Sequence, residues 1–130
     1  MPNDYTAKQI PEMEGFYKGL FLKARDEIGA SSFGLAIVDL ERDSDDHPMH
    51  AHPGGQEEVY LVLRGSGTLE FADGESIALD GDTVVRVGPE TERRIVPGPD
   101  GIRLAAIGGT PGQAYEAPGY SAVGAPDPAA

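Results

Sequence analysis

The chain contains no cysteine, which excludes disulfides, thiolate metal ligands and cysteine nucleophiles together. Basic residues are scarce: 10 Lys plus Arg stand against 22 Asp plus Glu, a formal net charge of −12. A surface with that balance repels phosphate backbones and anionic headgroups, so neither a nucleic-acid nor a membrane-surface partner is expected. No apolar run approaches the roughly 18 residues of a membrane-spanning helix. The first ten residues, MPNDYTAKQI, have neither the basic start nor the apolar stretch of a secretory signal. A cytoplasmic location is the resulting expectation. Histidine is rare and unevenly placed, with only His47, His50 and His52 in the chain. The 130 residues suffice for one core, with little to spare for a second domain.

What the chain does have is a succession of short apolar runs separated by glycine, proline and aspartate. Residues 1–15 read as an N-terminal segment with an edge strand at 5–10. Leu20, Leu22 and Ala24 alternate while Leu20, Ala24 and Ile28 recur every four, so residues 16–28 fit a strand entering a helical turn. Residues 31–40 form a better strand, bounded by Gly29 and by an acidic run from Asp39 to Asp46 that reads as a solvated turn. Further strands are expected at 57–63, 68–71, 75–79, 83–87, 93–96 and 102–107. Gly65-Ser66-Gly67, Asp73-Gly74, Asp80-Gly81-Asp82 and the stretch Pro97-Gly98-Pro99-Asp100-Gly101 supply the turns between them. Short strands about ten residues apart define an all-β sandwich or barrel, here occupying residues 16–116. Residues 117–130, rich in proline and small side chains, are expected to be mobile unless Tyr115 or Tyr120 pins them to the body.

The chemistry concentrates in HPMHAHPGGQEEVYLVLRGSG, residues 47–67. His50 and His52 are one residue apart, so in an extended segment both imidazoles point the same way. Six positions later Glu58 opens the apolar run 59–63. Two neutral imidazoles and a carboxylate are the ligand set of a divalent first-row metal with open positions. His47 precedes Pro48 and reads as a surface histidine. Along 57–63 one face carries Glu58, Tyr60 and Val62, the other Glu57, Val59, Leu61 and Leu63. Both faces are largely apolar, which implies that the second is covered by the N-terminal segment or by another copy of the chain. Ser66 lacks the strand-to-helix context of a nucleophile elbow. The glycines at 108–112 open no helix, so they do not make a phosphate-binding loop.

This stretch resembles the first motif of the cupins, commonly written His-x-His, three or four residues, Glu, six residues, Gly. His50 and His52 take the histidine places, Glu58 the glutamate place and Gly65 the glycine place, with five residues between His52 and Glu58. The longer spacing leaves Gln56 and Glu57 open as the inward-turned residue. The resemblance implies an all-β fold, the cupin jelly-roll barrel in a single domain, and a metal held by His50, His52 and Glu58 with Gln56 as a further donor. It also implies a homodimer, since cupins commonly pair through their sheets. The second cupin motif, Gly, five residues, Pro-x-Gly-x-x-His, is degenerate. Asp82, Gly88, Glu90 and Arg93 fall at its glycine, proline, glycine and histidine places. No histidine follows His52, and a guanidinium has no lone pair to replace one.

Two readings of the site follow. In one, His50, His52 and Glu58 hold iron, manganese, nickel or zinc, and the chain acts on a small organic molecule in the manner of cupin dioxygenases or isomerases. In the other, no metal is held, and Arg93, with Arg86 or Arg94, anchors an anionic small molecule beside Tyr60 in a non-catalytic binding module. A dimeric interaction scaffold without a usable cavity is a third class. The two readings separate on metal content and on whether Arg93 faces a ligand cavity.

Overall fold

A computed structural model describes residues 2–129. Its strands are β1 (Gly15–Phe16), β2 (Phe21–Leu22), β3 (Gly34–Leu40), β4 (Glu57–Phe71), β5 (Ser76–Leu79), β6 (Val84–Val87) and β7 (Arg93–Gly109). A short α-helix, α1 (Ala24–Ile28), follows β2 and ends on Gly29 in the left-handed conformation, as a helix C-terminus favours. All the strand pairs are antiparallel, in the order β1-β2-β3-β7-β4-β5, with β6 beside β4. The fold is an all-β jelly-roll barrel.

The frame of the barrel is the pairing of β4 with β7, which runs from Glu57↔Gly109 to Phe71↔Arg93. The expected tight connection at Gly65-Ser66-Gly67 is absent, because β4 passes through those residues as one strand. The expected turn at 97–101 is likewise an excursion inside a single strand, β7. The two irregularities face each other, with Gly65 opposite Ile102 and Gly67 opposite Pro97. Gly65 and Gly101 both adopt left-handed backbone, with φ of 74° each. A β-carbon on Gly65 would overlap the Gly101 carbonyl, so only glycine fits the bend. The bend lets one strand serve two neighbours: the first part of β4 pairs with β6 and the last part with β5.

Bulges also shift which residues face inward. Tyr60 and Val62 point into the barrel from the first part of β4, and Leu69 from the last part. They meet Val38, Leu40, Leu79, Val85, Val87, Ile95, Ile102 and Leu104 in one core. A second cluster lies on the outer face of the sheet, where Ile10, Met13, Leu22 and Leu35 pack over Ala24, Ile37 and Ala105. The N-terminal segment covers the outer face there, though residues 5–9 form no strand and are exposed. Leu61, Leu63 and Val84 on the same face stay exposed.

The C-terminal segment crosses the body instead of leaving it. Tyr120 packs on Phe16, with ring centroids 5.6 Å apart, and the Arg25 guanidinium lies over the Tyr115 ring. The buried Lys23 ammonium donates to Glu14 Oε2 at 2.6 Å and to the Ala122 carbonyl at 2.8 Å. Val123 N–H donates to Asp26, Gly124 N–H to Glu14 and Tyr17 N–H to Asp127. Among the described residues, no helix is long and apolar enough to cross a membrane.

Candidate metal centre

His50 and His52 lie on the segment leading into β4, which is tied to the residues around the start of β7. His50 and Arg93 exchange both backbone hydrogen bonds, at 3.0 and 2.9 Å, and His52 N–H donates to the Pro89 carbonyl at 2.7 Å. Alternation along β4 turns Glu58 inward and Glu57 outward, where Glu57 pairs with Arg86. Of the carboxylates at 57 and 58, Glu58 therefore faces the histidines.

His50 Nε2, His52 Nε2 and a Glu58 oxygen converge within 4.8 Å of one another. His52 Nε2 is 3.2 Å from Glu58 Oε1, and His50 Nε2 is 3.9 Å from it. His50 Nδ1 sits 3.0 Å from the Pro48 carbonyl. A carbonyl can only accept, so Nδ1 carries the proton and the neutral ring presents its Nε2 lone pair to the site. His52 Nε2 is buried and has no hydrogen-bond partner. Lone pairs thus gather around a carboxylate oxygen, an arrangement that a cation between them relieves. The donor set fits a divalent transition metal with open positions. A cavity of about 270 Å³ has all three residues in its wall.

Arg93 is fully buried, contrary to a role as an open anion anchor. Its Nη2 donates to Glu58 Oε1 at 2.5 Å, Nε to the Tyr60 hydroxyl at 3.1 Å and Nη1 to the Thr91 carbonyl at 2.9 Å. Tyr60 in turn donates its hydroxyl to Glu58 Oε1 at 2.8 Å. Burial would raise the Glu58 carboxyl, but the adjoining His50 and His52 rings and the hydrogen bond from Tyr60 outweigh it and hold the group well below the usual carboxylate range. Burial, reinforced by the charge of Glu58, pushes the Tyr60 phenol up. Arg93 and Tyr60 therefore position Glu58; neither lines the cavity. Arg86 lies on the outer face with Glu57, and Arg94 pairs with Glu70, so neither arginine meets the histidines. Gln56 does line the cavity, its amide filling the space over Gly108 where a β-carbon would otherwise stand.

His47 is buried, which corrects its reading as a surface residue. Its Nδ1 accepts the Ile95 amide at 3.0 Å, and its ring lies 5.2 Å from that of His50. Burial, followed by the proximity of His50, lowers its pKa to about 3, so it supports the site as a neutral ring. The other cavity walls were not legible as site residues. Phe16, Phe21, Lys23 and Arg25 come from β1 to α1, and Tyr115 and Tyr120 from the C-terminal segment. Only the pinning reading of the two tyrosines hinted at this.

No family model and no curated protein matches the sequence. Solved structures do match the fold. A cupin protein from Bacteroides fragilis superposes with a TM-score of 0.67 at 20% identity, over 90% of this chain and 93% of its own. The iron(II) form of HppE in complex with substrate matches at a TM-score of 0.50 and 20% identity, over 58% of this chain and 45% of its own. The DMSP lyase DddQ from Ruegeria pomeroyi matches at 0.55 and 15% identity, over 71% and 45%. The class that fold and site define is a small jelly roll with a His-His-Glu group able to hold a metal ion. In its particular form, the chain has the cupin fold as a single barrel.

Proposed function

We propose that this chain is a metal-dependent enzyme of the cupin fold that acts on a small organic molecule in the barrel cavity, with His50, His52 and Glu58 as the metal ligands. The observation that carries the reading is the partnerless, buried His52 Nε2 aimed at the Glu58 carboxylate beside the His50 lone pair. Iron, manganese, nickel or zinc would supply Lewis acidity there, and iron or manganese also a route to dioxygen activation. The protein's own residues do the rest. Pro48 fixes the His50 tautomer, Arg93 and Tyr60 orient Glu58, and Gln56 offers an amide at the cavity wall. Phe16, Phe21 and Tyr120 present apolar surface to a substrate body and exclude water. A neighbour described with iron(II) and substrate and another described as a lyase support an enzyme over a passive scaffold. The cavity opposes the scaffold reading, and the burial of Arg93 weighs against a metal-free binder built on that arginine.

The test is elemental analysis of protein exposed anaerobically to each of the four metals. About one equivalent per chain is expected, falling by an order of magnitude or more in Glu58→Ala and in His52→Ala. Full metal content in a folded His50→Ala/His52→Ala pair would exclude the site. We further propose that the exposed Leu61, Leu63 and Val84 face meets a second copy. Light scattering should return twice the chain mass, and a Leu61→Lys/Val84→Glu variant should return the monomer.

A further inference from the structure

We infer that Arg93 makes metal uptake at this centre depend on an anion, so that the cavity's ligand is a small organic carboxylate. The inference rests on the metal reading above and concerns its charge. Without metal the site is electrically balanced. Glu58 is cancelled by Arg93 at 2.5 Å, Lys23 by Glu14 at 2.6 Å, and Arg25 by Asp26 at 3.5 Å. His47 adds no charge, since its Nδ1 accepts the Ile95 amide at 3.0 Å and so carries no proton. A divalent ion entering between two imidazoles and this carboxylate therefore brings two positive charges that no protein group offsets.

Surroundings make that excess costly. Arg93 is 0% exposed, so water does not screen its repulsion, and Phe21, Ala36 and Ala106 give the cavity apolar walls. Nor can Arg93 swing aside: Thr91, Tyr60 and Glu58 hold three of its nitrogens, and its backbone is paired with His50. Only His50, His52 and Glu58 converge there among the described residues, so the open positions fall to the cavity's occupant. A carboxylate offers both what is missing, negative charge and hard oxygen donors. The apolar body of such a molecule would lie against Phe16, Phe21 and Tyr120, with the size of the cavity keeping it small.

The experiment is a Co(II) titration of the protein at constant ionic strength, alone, with acetate and with acetamide, its uncharged isostere. Acetate is expected to tighten the apparent Kd for Co(II) by about tenfold or more and acetamide by less than about twofold. In Arg93→Met the acetate effect should shrink below about threefold, while affinity without anion rises. Equal effects of acetate and acetamide on the wild type would overturn the inference, even if Arg93→Met does not fold, while leaving the metal centre standing. So would an undiminished acetate effect in a folded Arg93→Met. No Co(II) uptake in any of the three conditions would overturn the metal centre itself and the inference with it.

Discussion

Ile95 gives its amide to His47, and this one bond shows how a side chain's role escapes local sequence. Pro48 spoke for an extended surface residue; the barrel instead closes over the ring, and burial keeps it neutral. The sign of the pH effect follows. The unfolded ring takes up a proton as pH falls below 6.5, whereas the folded one resists until about 3. Stability from this group is complete above the unfolded value and declines with acidification by up to about 1.4 kcal/mol per pH unit. Urea unfolding of metal-free protein at several pH values between 7 and 4 should show that slope, and His47→Gln should flatten it. Arg93 has the opposite history. Its register at the histidine place was readable, but its direction was not, because three partners distant in sequence decide where the guanidinium goes. His50 and His52 were legible for a simpler reason, since alternation puts both on one side. Glu58 came from the motif resemblance with Gln56 and Glu57 still open, and the Glu57–Arg86 pair on the outer face decides between the two carboxylates.

At the scale of elements, alternation succeeded along β4, while two of the turn signals marked bends and not reversals. Gly65-Ser66-Gly67 and the residues 97–101 carry the composition of chain reversals, yet each is a bend within a long strand lying opposite the other. Composition reports a backbone's freedom to turn; the partner strand decides whether it bends or reverses. Asp73-Gly74, with no strand partner across it, does reverse, as Gly74 N–H bonding to the Phe71 carbonyl records. The expected consequence of filling the bend is sharp. Gly65→Ala must hold left-handed backbone, at about 1–2 kcal/mol, and also displace the Gly101 carbonyl. A loss of about 2 kcal/mol or more in denaturant unfolding is expected, whereas Gly74→Ala, whose β-carbon meets nothing within 4 Å, should carry only the conformational cost.

For the molecule as a whole, composition suggested a loose C-terminal segment, and the contacts that hold it were beyond reach because they are mostly to backbone. Lys23, Glu14 and Asp26 bind carbonyls and amides of residues 122–125, groups that every sequence possesses. Replacing the buried ammonium should free the segment: in Lys23→Met, amide exchange at Val123 and Gly124 should quicken by about tenfold or more, with the amides of β4 and β7 unchanged. The hydrogen bonds of Lys23 and Gly124 hold the Glu14 carboxyl below its ordinary range. Its contribution is therefore present above the unfolded carboxylate pKa and fades as acid protonates it. The same segment supplies Tyr115 and Tyr120 to the cavity while forming no sheet ladder among the described residues. Under the proposed function, the histidines and part of the cavity wall thus lie on separable parts of one chain. Substitutions near Tyr120 can reshape what the cavity admits without touching the strands that hold the histidines, so related barrels could exchange substrates by rewriting a strap of some twenty residues and keep the centre intact.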